Sequence, residues 1–144
     1  LPKGARVLPL NSEAADYKLA GSAANARLSD LHWPLDLVWL GMGADGHTAS
    51  IFPGSDYEEA LNPAKGVRAI GVRPDPFPPE APVDRVTLTV PAIVEARTTM
   101  LVINGAEKQQ VLEQAIEEGK KSAYPVGRVI DALTVPVDIY CLSV

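Results

Sequence analysis

The chain has 144 residues, of which 47% are apolar and 22% charged, and its formal net charge is −5. That length suits one domain that buries about two thirds of its unfolded surface, and the composition is too apolar for a disordered segment. The acidic balance and the lack of any Lys/Arg run argue against nucleic acid as a partner, and no stretch nears the roughly 20 apolar residues of a membrane span.

The opening residues LPKGAR do not lead into a signal-peptide apolar region. After a short run at residues 6–10, Asn11 and Ser12 offer capping oxygens, while Glu13 and Asp16 place negative charge in a first turn. Apolar positions then recur at Tyr17, Ala20, Ala24, Leu28 and Leu31, which predicts an amphipathic helix to about Ser29. Trp33-Pro34 ends it. Residues 35–40 form an almost unbroken apolar run, the pattern of a strand buried on both faces.

Residues 41–53 read GMGADGHTASIFP. Pro53-Gly54 limits any helix begun near Thr48 to about two turns, so this is a strand-to-short-helix turn. Residues 67–72 and 85–90 predict two strands that pair as a hairpin. The connection between them carries Pro74, Pro76, Pro78, Pro79 and Pro82 and should be an exposed, semi-rigid loop. Residues 98–103 predict another strand. Gly105 leads into a helix with inward positions Val111, Leu112, Ala115 and Ile116, ended by Gly119. Residues 124–130 are ambiguous, with a turn of helix at Ala132-Leu133. Residues 137–142 make a last strand, in which Cys141, the only cysteine, is expected to be buried; one cysteine gives no disulfide framework and suits a reducing cytoplasm.

Strands alternating with helices predict one domain over residues 1–144 of the α/β class, a Rossmann-like layered fold with a mostly parallel sheet and flanking helices. Ligands of such sheets sit beyond the carboxyl ends of the strands, where residues 41–48 and 104–108 both fall.

Residues 41–46 also match the dinucleotide fingerprint G-x-G-x-x-G. Pro53-Gly54 stops the chain before a full crossover helix, and no acid ends a second strand about 20 residues on, so NAD binding is set aside. What remains is a dense set of reactive groups, Asp45, His47, Thr48 and Ser50, on a glycine turn at the mouth of a buried strand. His47 is of a type that can deprotonate water near neutral pH, and Asp45 could orient its ring. Gly43 and Gly46 would let a substrate approach the backbone. The same residue types also serve turns and caps, so local chemistry leaves both readings open. No metal-ligand spacing joins His32 to His47, and Ser50 lacks a nucleophile-elbow sequence.

The run GMGADGHTASIFPG resembles the signature of the 6-phosphogluconolactonases, as do PVDRVTLTVPAI at residues 82–93 and VINGAEKQQVL at residues 102–112. The resemblance spans nearly the whole chain in matching order. It implies a Rossmann-like sheet related to that of glucosamine-6-phosphate deaminases. It also implies hydrolysis of 6-phosphogluconolactone to 6-phosphogluconate in the oxidative pentose phosphate pathway, with no metal or cofactor. By position, His47 becomes the general base and Lys108 the contact for the substrate phosphate. Gly105 and the first-turn amides beside Lys108 suit an anion, although without the resemblance a solvated surface lysine is the favoured reading, since lysines are mostly exposed. Arg85 shares a strand face with Thr87 and Thr89, either towards substrate or towards solvent.

Members of the family normally carry a further N-terminal strand, a glycine- and serine-rich phosphate loop and an Asp-Glu-Arg segment. Nothing here matches those segments. The expectation is therefore a C-terminal portion, weakly active or inactive alone, whose exposed sheet edge invites self-association. Two alternatives to a lactonase stand: a glucosamine-6-phosphate deaminase/isomerase-like enzyme, and a catalytically incomplete sugar-phosphate-binding fragment. The continuation from Thr48 to Pro53 favours the lactonase form.

Overall fold

The computed structural model describes residues 2–11, 16–79 and 81–142. Helix α1 (Tyr17–Leu28) starts where the Asp16 carboxylate accepts the Leu19 amide at 3.0 Å. Asp16 is thus the N-cap and not a first-turn residue, and the helix begins later than Asn11 and Ser12 suggested. Ser12 and Glu13 lie outside the described residues. The expected stripe is buried at Ala20, Ala24 and Leu28, with Gly21 beside it. A Cβ on Gly21 would stand 1.9 Å from the Gly71 nitrogen, and one on Gly71 would stand 1.8 Å from the Tyr17 carbonyl oxygen. α1 therefore lies backbone against backbone on strand β2 (Ala69–Val72).

The main sheet is parallel and ordered β1-β4-β5, from β1 (Leu37–Leu40), β4 (Thr98–Asn104) and β5 (Val137–Leu142). Leu40 pairs with Leu101, and Leu101 with Ile139. β2 and β3 (Arg85–Leu88) form a separate antiparallel ribbon, the hairpin expected from the sequence, with Val72 opposite Arg85. Helix α2 (Tyr57–Leu61) precedes the ribbon, and α3 (Val90–Val94) follows it. Helices α4 (Ala106–Glu118) and α5 (Pro125–Ala132) complete the order, joined through a short 3-10 helix at Gly119–Lys121. The α/β class and the mostly parallel sheet agree with the sequence.

One face of the main sheet carries the core. Val38, Leu40, Leu101 and Ile103 pack with Ile93 of α3, Leu112 and Ala115 of α4, and Val126 and Val129 of α5. Burial of β1 on both faces is not observed: Leu37 is 52% and Trp39 68% exposed. The reason is coverage, since the three helices pack on the other face and Tyr140 and Leu142 are likewise exposed. Cys141 is also exposed, because β5 sits at the sheet edge.

Three further expectations change. No helix forms near Thr48; instead Met42 bridges to Thr48 and Thr48 to Ile51, which uses the turn's backbone groups in short antiparallel pairings. The strand expected to run to Val90 ends at Leu88, and α3 begins with Pro91 in its first turn, where proline's fixed φ and missing N–H suit a helix start. Ile116, expected inward on α4, is 45% exposed. The ambiguous residues 124–130 are helix α5, again with proline in its first turn.

Candidate active site

The turn that follows β1 is built by its own backbone. The Gly43 amide donates to the His47 carbonyl at 3.0 Å, the Gly46 amide to the Gly43 carbonyl at 3.0 Å, and the Ile51 amide to the Thr48 carbonyl at 2.9 Å. Thr48 is fully buried, and its hydroxyl donates to the Gly41 carbonyl at 2.7 Å. Its role in this structure is to brace the turn. Gly46 adopts φ +81, a region disfavoured for residues with a Cβ. Tyr124 fills the space beside it, and the Val126 amide at the head of α5 donates to the Gly46 carbonyl at 3.0 Å. Ala49 is the one non-glycine with positive φ among the described residues, at 51. Backbone strain of this kind concentrates at functional turns.

On that frame His47 Nδ1 lies 2.5 Å from Asp45 Oδ1, which also accepts the His47 amide at 3.1 Å. A carboxylate only accepts, so this contact calls for a proton on Nδ1, and in the neutral imidazole that leaves Nε2 as the acceptor. Gly43 makes this pair possible. A Cβ there would stand 2.2 Å from His47 Cε1 and 2.6 Å from Asp45 Oδ1. The imidazole stacks on Phe52, with ring centroids 4.3 Å apart and planes 28° from parallel.

His47 and Asp45 open onto a cleft of about 970 Å³ that Gly43, Ser50, Arg85 and Lys108 also line. The cleft lies at the carboxyl end of β1 and at the first turn of α4, which starts after β4, as the parallel sheet predicts. Gly46, Thr48 and Gly105 do not line it. Gly105, at φ +97, instead caps α4 three residues before Lys108.

Arg85 is half-buried and lines the cleft. Its strand face turns inward: Thr87 and Thr89 are buried, and the Thr87 hydroxyl accepts the Ser50 amide at 3.1 Å. The Arg85 guanidinium carbon lies 5.0 Å from the Phe52 ring centroid, and Nη2 donates to the Ala81 carbonyl at 2.9 Å. Ala81 belongs to the proline-rich connection, which walls the cleft with Pro78 and Pro79. A two-pronged ion pair closes the neck of that connection, Arg73 Nε to Asp84 Oδ1 at 2.7 Å and Nη2 to Oδ2 at 2.6 Å. The Arg73 guanidinium, donating to Asp84, holds its carboxyl below the usual range.

Sequence reasoning missed Phe52, Tyr124 and Thr87. Phe52 lay within the motif, but its partners were unknowable from spacing. Tyr124 and Thr87 act across long separations. Among the described residues no three His, Cys, Asp or Glu side chains gather as metal ligands, and no helix is long and apolar enough to cross a membrane.

The profile of the family described as glucosamine-6-phosphate isomerases/6-phosphogluconolactonase matches residues 1–135. A 6-phosphogluconolactonase of Mesorhizobium japonicum is 38% identical over 139 residues, covering 96% of this chain and 56% of its own length. That of Rhizobium meliloti is 36% identical over 137 residues, covering 94% and 57%. Among solved structures, a 6-phosphogluconolactonase from Shewanella baltica superposes with a TM-score of 0.82 at 32% identity, covering 94% of this chain and 55% of the other. The Trypanosoma brucei 6-phosphogluconolactonase gives 0.70 at 30% identity, covering 91% and 53%. The chain thus spans a little over half the length of these relatives.

Proposed function

Because this chain belongs to the glucosamine-6-phosphate isomerase/6-phosphogluconolactonase family, we propose that the protein hydrolyses 6-phosphogluconolactone to 6-phosphogluconate, with His47 as general base. The carrying observation is the His47–Asp45 pair at 2.5 Å, opening onto a cleft that two cations, Arg85 and Lys108, share.

Asp45 holds the Nδ1 proton and leaves Nε2 to take a proton from water. The water oxygen bonds to the lactone carbonyl carbon, and the carbonyl oxygen takes up the electron pair. Collapse of that intermediate breaks the bond to the ring oxygen, which leaves with the proton from His47. Lys108 and the first-turn amides of α4 suit the phosphate. Arg85 supplies a second positive charge for an anionic oxygen. The Ser50 side chain borders the substrate, while Gly43, Gly46, Thr48 and Gly105 serve by shaping the backbone around it.

The free, exposed Cys141 supports a reducing, cytoplasmic setting. The uncovered sheet face, with Leu37, Trp39, Tyr140 and Leu142, and the β1 and β5 edges support self-association, which light scattering across a concentration series tests.

Hydrolysis of 6-phosphogluconolactone, corrected for the lactone's spontaneous opening, is the test of function. His47→Ala should lower turnover about 10²–10⁴-fold. Unchanged turnover in that variant refutes His47 as the base.

A further inference from the structure

Phe52 is buried yet belongs to neither apolar cluster of the chain. Its sequence neighbour Ile51 takes the core position, fully buried among the residues beneath the sheet. The Phe52 ring instead meets two cleft residues, the His47 imidazole at 4.3 Å and the Arg85 guanidinium at 5.0 Å. A large buried aromatic that joins neither apolar cluster and is shared by two cleft groups has a role at the cleft beyond core packing.

We propose that Phe52 is a positioning residue, an aromatic platform that sets the plane of the His47 ring and the place of Arg85 relative to it. The inference rests on His47 being the base. The Asp45 bond fixes one ring nitrogen, but a single bond leaves the imidazole free to tilt about it. A stack at 28° removes that freedom and aims Nε2. The same ring attracts a cation over its face, so Arg85 is drawn to a spot defined by the base's own support. Arg85 is otherwise tied to the loop by one bond, from Nη2 to the Ala81 carbonyl. Base and cation are thereby both referred to one ring, which fixes their separation.

Phe52→Leu keeps an apolar side chain and removes the ring, and Phe52→Tyr restores the ring. NMR of the labelled chain reads the effect directly. In the unaltered chain the His47 ring protons should be shifted upfield by the Phe52 ring current, with one tautomer protonated at Nδ1. Phe52→Leu should abolish the upfield shift and weaken the nuclear Overhauser contacts of the His47 ring with Gly43, while the Nδ1 proton held by Asp45 and the amide resonances outside residues 41–53 and 81–88 stay in place; Phe52→Tyr should restore both the shift and the contacts. In hydrolysis assays Phe52→Leu should lower kcat roughly 10- to 100-fold, the scale of a misplaced catalytic group, and should have a much smaller effect in a His47→Ala background, where only the placing of Arg85 is left to lose. Unchanged contacts of the His47 ring with Gly43 together with an unchanged kcat in Phe52→Leu overturn the proposal. Full hydrolysis by His47→Ala overturns the base assignment instead, so the two failures are read by different measurements.

Discussion

Substituting Gly43 by alanine should separate catalysis from stability more cleanly than any other change in the turn. Gly43 does not use the left-handed region, so its backbone accepts a Cβ. That Cβ would stand 2.2 Å from His47 Cε1, 2.3 Å from His47 Nδ1 and 2.6 Å from Asp45 Oδ1. Carbon contacts settle at about 3.5–4.0 Å, so the imidazole must retreat by more than about 1 Å. A 2.5 Å bond from Nδ1 to Asp45 does not survive such a shift. Misplacing a catalytic group by about 1 Å costs on the order of 10²-fold in rate. The displaced atoms all belong to side chains with access to solvent, 25% for His47 and 56% for Asp45. They can swing aside cheaply, and alanine also lowers the entropy of the unfolded chain, so stability should stay within about 1 kcal/mol. Lactone hydrolysis and urea unfolding of the same preparation make the comparison. Full turnover in Gly43→Ala would refute the view that the glycine exists to seat the His47–Asp45 pair. A stability loss above about 3 kcal/mol would show that it serves the backbone instead.

Gly71→Ala should be severe for the opposite reason, because its Cβ meets the Tyr17 carbonyl oxygen, a backbone atom that cannot swing away. We expect a loss of about 3 kcal/mol in chemical unfolding, the upper end of the overpacking range, and a fully stable variant would contradict the close fit of α1 on β2. The Asp84 carboxyl is depressed by Arg73, so its contribution is present above the ordinary carboxylate pKa and is lost as pH falls through the folded value. Asp84→Asn should therefore flatten the acid limb of an unfolding midpoint against pH profile, and an unaltered profile would exclude the clasp as an acid-sensitive element.

Much of the turn could be read from its letters because its chemistry is local. Asp45 and His47 are two residues apart and bonded to each other, and the helix from Gly105 to Gly119 is bracketed by glycines that the pattern reveals. Coverage was not legible. The run at residues 35–40 carries no mark of which face a helix will cover, and Trp39 is exposed because α3, α4 and α5 lie on the other side. The inward turn of Arg85 and Thr87 was equally hidden, since a threonine face looks solvent-directed until the Ser50 amide is known to bond to it. Capping failed by a few residues because several candidate oxygens stood in a row, and the one that capped was Asp16.

The bond from the Val126 amide to the Gly46 carbonyl has a consequence during synthesis of the chain. The two residues are 80 positions apart (126 − 46), so at about 5–20 residues per second the turn leaves the ribosome roughly 4–16 s before its support does. For that interval the turn has its local bonds but not its outer support, with Gly46 exposed where Tyr124 will later stand. A nascent chain arrested before α5 should bind no substrate, whatever its motif reads, and the same chain released past Ile130 should acquire the site in a single late step.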